Sequence, residues 1–349
     1  MRGLSAHPKV RRLGLAFALS GAGLTACATD TTLRRADTPR IAGRTYVITG
    51  ASSGFGRGAA IRAGALGANV VLAARRVELL EEVVNEIRGA GGQAIAVPTD
   101  VADPQAVERL AQAAEARFGR IDVWINNAGV LSIGEFTAVP LADHTRTIDV
   151  NLKGVIHGAH AAMRRFVAQG HGTLVNVGSV ESVVPLPYHG SYVASKYGIL
   201  GLGRALNEEM RLKRLGKRIR VSTVMPFAAD TPIWQHAGNY TGRTPRMIMM
   251  DPAQKVADAI VWASVHPREE LPVGWKAQGA VSAHNIAPDL TEVVAANIYH
   301  DTTIRDAPPG APPNSGNVHR PEAEGRGVSG GNRERIRAED RAREAAEPR

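Results

Sequence analysis

A doubly wound α/β fold, single-domain and built on a parallel sheet, is predicted by three observations. Short β-branched runs alternate with helical patterns from about Ile41 to about Tyr299. A glycine cluster falls where the first strand passes into the first helix. The 349-residue chain is 44% hydrophobic and 21% charged, a globular composition with enough apolar residues for one large core.

The elements follow in order. Thr45 to Thr49 (TYVIT) reads as a strand, and a helix runs from the glycines to Leu66 with Gly67 as its stop. Asn69 to Ala74 is the second strand, followed by the helix VELLEEVVNEIRGAGG; AIAVPTD is the third. The next helix opens with Asp103 as N-cap and Pro104 at its first position. IDVWINN, a helical region across residues 143–168, GTLVNVGS and the helix beginning SYVASK come next. RVSTVMP, the helix DPAQKVADAIVWASVHP and a short strand near Leu271 to Trp275 complete the set. In such a sheet, ligands sit outside the carboxyl ends of the strands.

Composition narrows the function. The net charge of +9 comes without Lys/Arg runs interleaved with aromatics, so nucleic acid is not expected as a partner. The single cysteine, Cys27, excludes an internal disulfide framework and a cysteine-built metal site, and no other metal site is legible. Residues 300–349 read as a tail. From Ala307 onward Pro, Gly and mixed charge predict disorder, and a helix in RERIRAEDRAREAAE would have only Ile336 with which to dock.

TGASSGFG, Thr49 to Gly56, stands at the first strand-to-helix turn. Gly50 permits a tight turn, Gly54 lets backbone approach a pyrophosphate, and Gly56 permits close helix packing; a ligand-free turn would use the same residues. The second strand ends in Ala74, Arg75 and Arg76 where an acidic residue would select an unphosphorylated ribose. The arginines point to NADP(H) over NAD(H), the alternative being surface arginines that start a helix. Asp100, ending the third strand, is placed to meet an adenine amino group or to cap the next turn.

Tyr192 and Lys196 lie at i and i+4 on one helix face. A neighbouring ammonium favours phenolate, which would bring the tyrosine toward a useful acid/base range; alone, the pair could equally be a surface contact. Ser179 ends a strand thirteen residues earlier, its hydroxyl able to donate to a substrate oxygen.

Together, TGASSGFG, NNAG (Asn126 to Gly129), DVNLKG and Ser179 followed by YVASK resemble the classical short-chain dehydrogenase/reductase family over roughly residues 41–275. The resemblance implies a Rossmann-type fold and a catalytic tetrad of Asn151, Ser179, Tyr192 and Lys196. It also implies cofactor contacts from Gly50, Ser52, Ser53, Gly54, Phe55, Gly56, Arg75, Arg76, Asp100, Val101, Asn127, Ala128, Gly129, Tyr192, Lys196, Pro226 and Thr231. Phe227 departs from the family's usual glycine. A homodimer or homotetramer through the helices around 151–168 and 192–210 is implied by the same resemblance.

The expected function is hydride transfer between NADP(H) and a small-molecule carbonyl or alcohol; the alternative is a catalytically silent cofactor-binding scaffold or redox sensor. Candidate substrate contacts are Glu181, Tyr188, His189, Trp234 and His236. Tyr240 and Met247 to Met250 line an apolar pocket, or the methionines bury against the body or a second subunit. At the N-terminus, Arg2, Lys9, Arg11 and Arg12 precede an apolar run, Leu13 to Ala26, too short for a normal span, and LTAC resembles a bacterial lipobox. Residues 1–27 are therefore expected to be a lipoprotein signal with Cys27 lipidated, residues 28–40 a tether, and the enzyme lipid-anchored in the cell envelope; the alternative is a cytoplasmic protein.

Overall fold

A computed structural model describes residues 29–346; the expected signal segment and Cys27 lie outside the described residues. The element order is β1 (Thr45–Thr49), α1 (Gly54–Ala65), β2 (Asn69–Ala74), α2 (Val77–Gly89), β3 (Gln93–Pro98), α3 (Pro104–Phe118) and β4 (Val123–Asn126). Then come α4 (Leu141–Ile148), α5 (Gly154–Gln169), β5 (Gly172–Val177), α6 (Gly190–Leu212), β6 (Ile219–Pro226), α7 (Ala253–Val265) and β7 (Glu270–Val273). Helices α8 (Gly274–Ile286), α9 (Pro288–His300) and α10 (Asn332–Ala346) follow.

These strands form a seven-stranded sheet in the order β7-β6-β5-β4-β1-β2-β3, with every pair parallel. The chain starts in the middle, runs to one edge, then crosses back, so the order reverses between β1 and β4. All five residues of β1 are buried, as expected of a central strand covered on both faces. One apolar layer unites α1, α2 and α7 with the sheet through Ile48, Leu72, Leu80, Val83, Ile87 and Ile260. The other face packs Val47, Val71, Leu110, Trp124, Phe166 and Val221 beneath α3, α5 and α6.

Local chemistry sets the helix ends. Asp103 Oδ1 accepts from Gln105 N at 2.8 Å, Pro104 opens α3, and Gly119 at φ 80° closes it. Small residues let α1 press against α7: a Cβ on Gly58 would lie 2.8 Å from that of Ala257. The expected tether also folds at its end, since His266 Nε2 lies 2.6 Å from Asp37 Oδ1 and Ile41 is fully buried.

The C-terminal segment departs most from expectation. Residues 306–331 run back across the body rather than into solvent, and Val318 is 0% exposed within the second apolar layer. Helix α10 docks through Ile336, which packs with the cluster containing Trp234 and Met250, and through Arg246, whose Nη2 meets Asp340 Oδ1 at 2.5 Å. Asp230 accepts from Asn332 N at 2.8 Å and from Ser329 Oγ at 2.9 Å. A low apolar content predicted disorder, but polar side chains of the body hold this segment largely by its backbone and charges.

Candidate active site

One cleft opens beyond the carboxyl ends of β1, β4, β5 and β6, at the reversal in strand order. Its first wall is the turn after β1. Gly50 sits at φ +66°, and a Cβ there would lie 2.8 Å from Ala128 Cα. Asn127 Nδ2 donates to the carbonyls of Thr49 at 2.9 Å and Gly50 at 3.2 Å, so its side chain ties β1 to β4. A Cβ on Gly56 would stand 2.3 Å from Gly50 O. Gly56→Ala is therefore expected to destabilise the fold by about 1–3 kcal/mol, seen as a lower urea midpoint at unchanged slope; an unchanged midpoint contradicts this packing argument.

Arg75 and Arg76, at the end of β2, are half-buried beside this turn. Arg76 Nη2 donates to Ser53 Oγ at 2.7 Å and Ser52 Oγ at 3.1 Å. Neither guanidinium forms an ion pair among the described residues; their other partners are backbone carbonyls of the C-terminal segment. Arg75 donates to Asn317 O (2.7 Å) and His319 O (3.0 Å), and Arg76 to Glu322 O (3.2 Å) and Glu324 O (3.0 Å). Burial disfavours the charged form of both. Asp100 borders the cleft, but its carboxylate pairs with Arg146 and accepts from Ala102 N at 3.0 Å, the turn-capping alternative.

The opposite end gathers the tyrosine group. Asn151 lies in a wide helical turn, residues 149–153, joining α4 to α5. Fully buried, its amide accepts from Val130 N at 2.8 Å and donates to Val130 O at 2.9 Å, fixing the loop after β4. Ser179 ends the β5 exit and its Oγ accepts from Glu181 N at 3.1 Å. From the first turns of α6, Tyr192 and Lys196 enter the same cleft, with Lys196 Nζ 5.2 Å from the Tyr192 ring centre and donating to Val177 O at 2.8 Å.

The electrostatics differ from the expectation that Lys196 lowers Tyr192. Burial pushes the Tyr192 phenol well above its ordinary value, the Glu181 carboxylate adds to that, and the Ser179 hydroxyl opposes it. Burial pulls Lys196 down to about 8, with Glu181 opposing. The carboxylate two residues after Ser179 thus acts on both groups.

Glu181 anchors a buried chain: its Oε2 accepts from His189 Nδ1 at 2.9 Å, and His189 Nε2 accepts from the Tyr299 hydroxyl at 2.7 Å. With carboxylate on one ring nitrogen and hydroxyl on the other, a proton on Nδ1 and a lone pair on Nε2 match both partners. Glu181, His189 and Trp234 border the cleft as expected. Tyr188 does not; its hydroxyl lies 2.6 Å from His300 Nδ1, outside the cleft lining. His236 also lines the cleft, buried at its arginine end with Nε2 2.8 Å from Glu324 O. Tyr240 is turned away, donating to Asp143 Oδ2 at 2.6 Å. The methionines divide: Met247 lines the cleft, Met250 is buried and Met249 is half-exposed. Pro226, Phe227 and Thr231 also line the cleft, with Phe227 packed against Val180, Leu200 and Met225.

A family model described as short chain dehydrogenase matches residues 44–240. The chain belongs to this family. It is 33% identical over 265 residues to the uncharacterized oxidoreductase YxnA of Bacillus subtilis (strain 168), covering 75% of this chain and 74% of that protein. It is 38% identical over 193 residues to 3beta-hydroxysteroid dehydrogenase 1 of Eggerthella lenta, covering 55% of this chain and 72% of that one. Among solved structures, a metagenomic short-chain oxidoreductase in complex with NADP aligns at TM-score 0.55 and 31% identity, over 64% of this chain and 91% of that one. This oxidoreductase family membership agrees with the parallel sheet and its cleft.

Tyr299 and the irregular segment around Asn317 to Glu324 were missed by sequence reasoning, and both lie beyond the family match. Backbone carbonyls leave no residue-type signal, and Tyr299 follows a helix pattern with no motif around it.

Proposed function

We propose that the chain is an NADP(H)-dependent oxidoreductase interconverting a small-molecule carbonyl and its alcohol, with Tyr192 as the general acid/base. The observation carrying this is a single cleft with Ser179, Tyr192 and Lys196 at one end and, at the other, two half-buried guanidiniums that form no ion pair among the described residues. The turn fits a dinucleotide: glycines stand where side chains would collide, and the arginines offer charge-assisted donors for a 2′-phosphate. The NADP in the metagenomic relative supports the same choice. When bound, the nicotinamide supplies or receives the hydride.

This chain's residues handle the proton. Tyr192 gives its phenolic proton to the carbonyl oxygen during reduction and takes the hydroxyl proton during oxidation, a step its raised pKa favours in the reducing direction. Ser179 Oγ donates to the same oxygen as charge develops there. Lys196 binds the nicotinamide ribose hydroxyls, and Asn151 fixes the loop at Val130 that borders the tetrad. Purified protein given NADPH and a panel of ketones and aldehydes is expected to consume the reduced nicotinamide; tight cofactor binding with no turnover across the panel would favour the silent scaffold.

Glu181 supplies a pH test. Its charge raises both Tyr192 and Lys196, so Glu181→Gln lowers both. Alcohol oxidation needs the deprotonated base, so the rising limb of log kcat/KM against pH is expected to move to lower pH; an unmoved limb or one displaced upward contradicts the assignment. We also propose lipid anchoring through Cys27, tested by fractionating cells that express the native chain or Cys27→Ala. Native chain in the membrane fraction and variant outside it is expected; both soluble and full length overturns it.

A further inference from the structure

We infer that the C-terminal segment from Asn317 to Glu324 is a cofactor-specificity element, an intramolecular strap that competes with the 2′-phosphate of NADP(H) for Arg75 and Arg76. The inference rests on the arginine reading above and adds an occupant to that site. Arg75 is held by Asn317 O and His319 O, and Arg76 by Glu322 O and Glu324 O. Farther along the chain Gly54 N donates to Gly327 O at 2.9 Å, a contact for which the pyrophosphate of either cofactor would compete. The carbonyls on Arg75 and Arg76 occupy the donors that only a phosphorylated ribose would use.

Anchors on both flanks make the strap a defined conformation. Val318 is fully buried, Asn317 N donates to His236 O at 2.9 Å, and Asn332 fastens the far end to Asp230. Between them the carbonyls are neutral acceptors. A phosphate is anionic and makes stronger, charge-assisted bonds to guanidinium, so a phosphorylated cofactor can displace the strap. NADH offers only ribose hydroxyls there and leaves the carbonyls on the arginines. The strap therefore reduces the apparent affinity for NADPH by the fraction of molecules in which it is closed. Displacement is reported by the strap itself, independently of turnover.

Hydrogen exchange of the full chain, read at peptides covering residues 317–324, provides the test. Saturating NADPH is expected to accelerate exchange there, while saturating NADH leaves it unchanged. In parallel, Val318→Ala removes buried apolar contact from the anchor without touching either arginine, and is expected to tighten NADPH about tenfold with NADH within about twofold. Protection of 317–324 by NADPH, meaning a roof that closes over the cofactor, overturns the inference, as does equal acceleration by both cofactors. Weaker NADPH binding by a folded Val318→Ala protein also overturns it. If NADPH does not bind the wild-type chain at all, the function proposed above fails first, and the titration that precedes the exchange experiment shows this separately.

Discussion

Replacing Tyr192 with Phe is expected to reduce kcat/KM for carbonyl reduction by about 10²–10⁴-fold while NADPH affinity stays within about twofold. The loss corresponds to about 3–5 kcal/mol of transition-state stabilisation. The substitution preserves the ring that packs in the cluster of Leu131, Trp234 and Met250 and removes only the hydroxyl. Burial and the Glu181 carboxylate hold the phenol in its protonated form, so in the proposed mechanism Tyr192 enters carbonyl reduction as the acid. Steady-state kinetics with a fluorescence titration separate the two quantities. A variant retaining a tenth or more of wild-type kcat/KM would place the proton donor elsewhere.

Arg75→Ala is expected to weaken NADPH by about 10–100-fold and to leave NADH within about threefold, since a hydrogen bond to a charged group contributes about 1.5–3 kcal/mol. Arg75 is the cleaner test of the two because its own hydrogen bonds go to Asn317 O and His319 O and none goes to the phosphate turn. Arg76 also holds Ser52 and Ser53, and its loss is expected to affect both cofactors. Calorimetric titration of the two cofactors measures the selectivity, and equal losses for NADPH and NADH would remove the 2′-phosphate from Arg75.

The contrast between these arginines shows which parts of the molecule the sequence made legible. Position at the end of β2 was enough to bring Arg75 and Arg76 to the cleft, because a parallel sheet delivers strand ends to one edge. The same logic gathered Ser179, Tyr192, Lys196 and the glycine turn. The Asp103 cap with Pro104 was readable from local backbone chemistry alone. What escaped depends on contacts between distant segments. Glu181 sets the charge around Tyr192 only once β5 and α6 are packed together. His236 stood near the substrate in sequence order, yet the docked strap draws its ring to Glu324 O. The strap was hidden because compositional reasoning counts apolar side chains, whereas this segment is fastened by its carbonyls, by Val318 and by salt bridges from α10.

The most direct measurement follows the hydride. NADPH deuterated at the transferable position of nicotinamide C4 is incubated with wild-type protein and each carbonyl that it turns over, and the alcohol is examined by mass spectrometry and NMR. The account predicts one deuterium on the carbinol carbon for each NADPH oxidised, and labelled alcohol lower by about a hundredfold or more with Tyr192→Phe over the same interval. Saturating NADPH binding without transfer to any carbonyl, or alcohol formed without deuterium at that carbon, would contradict it.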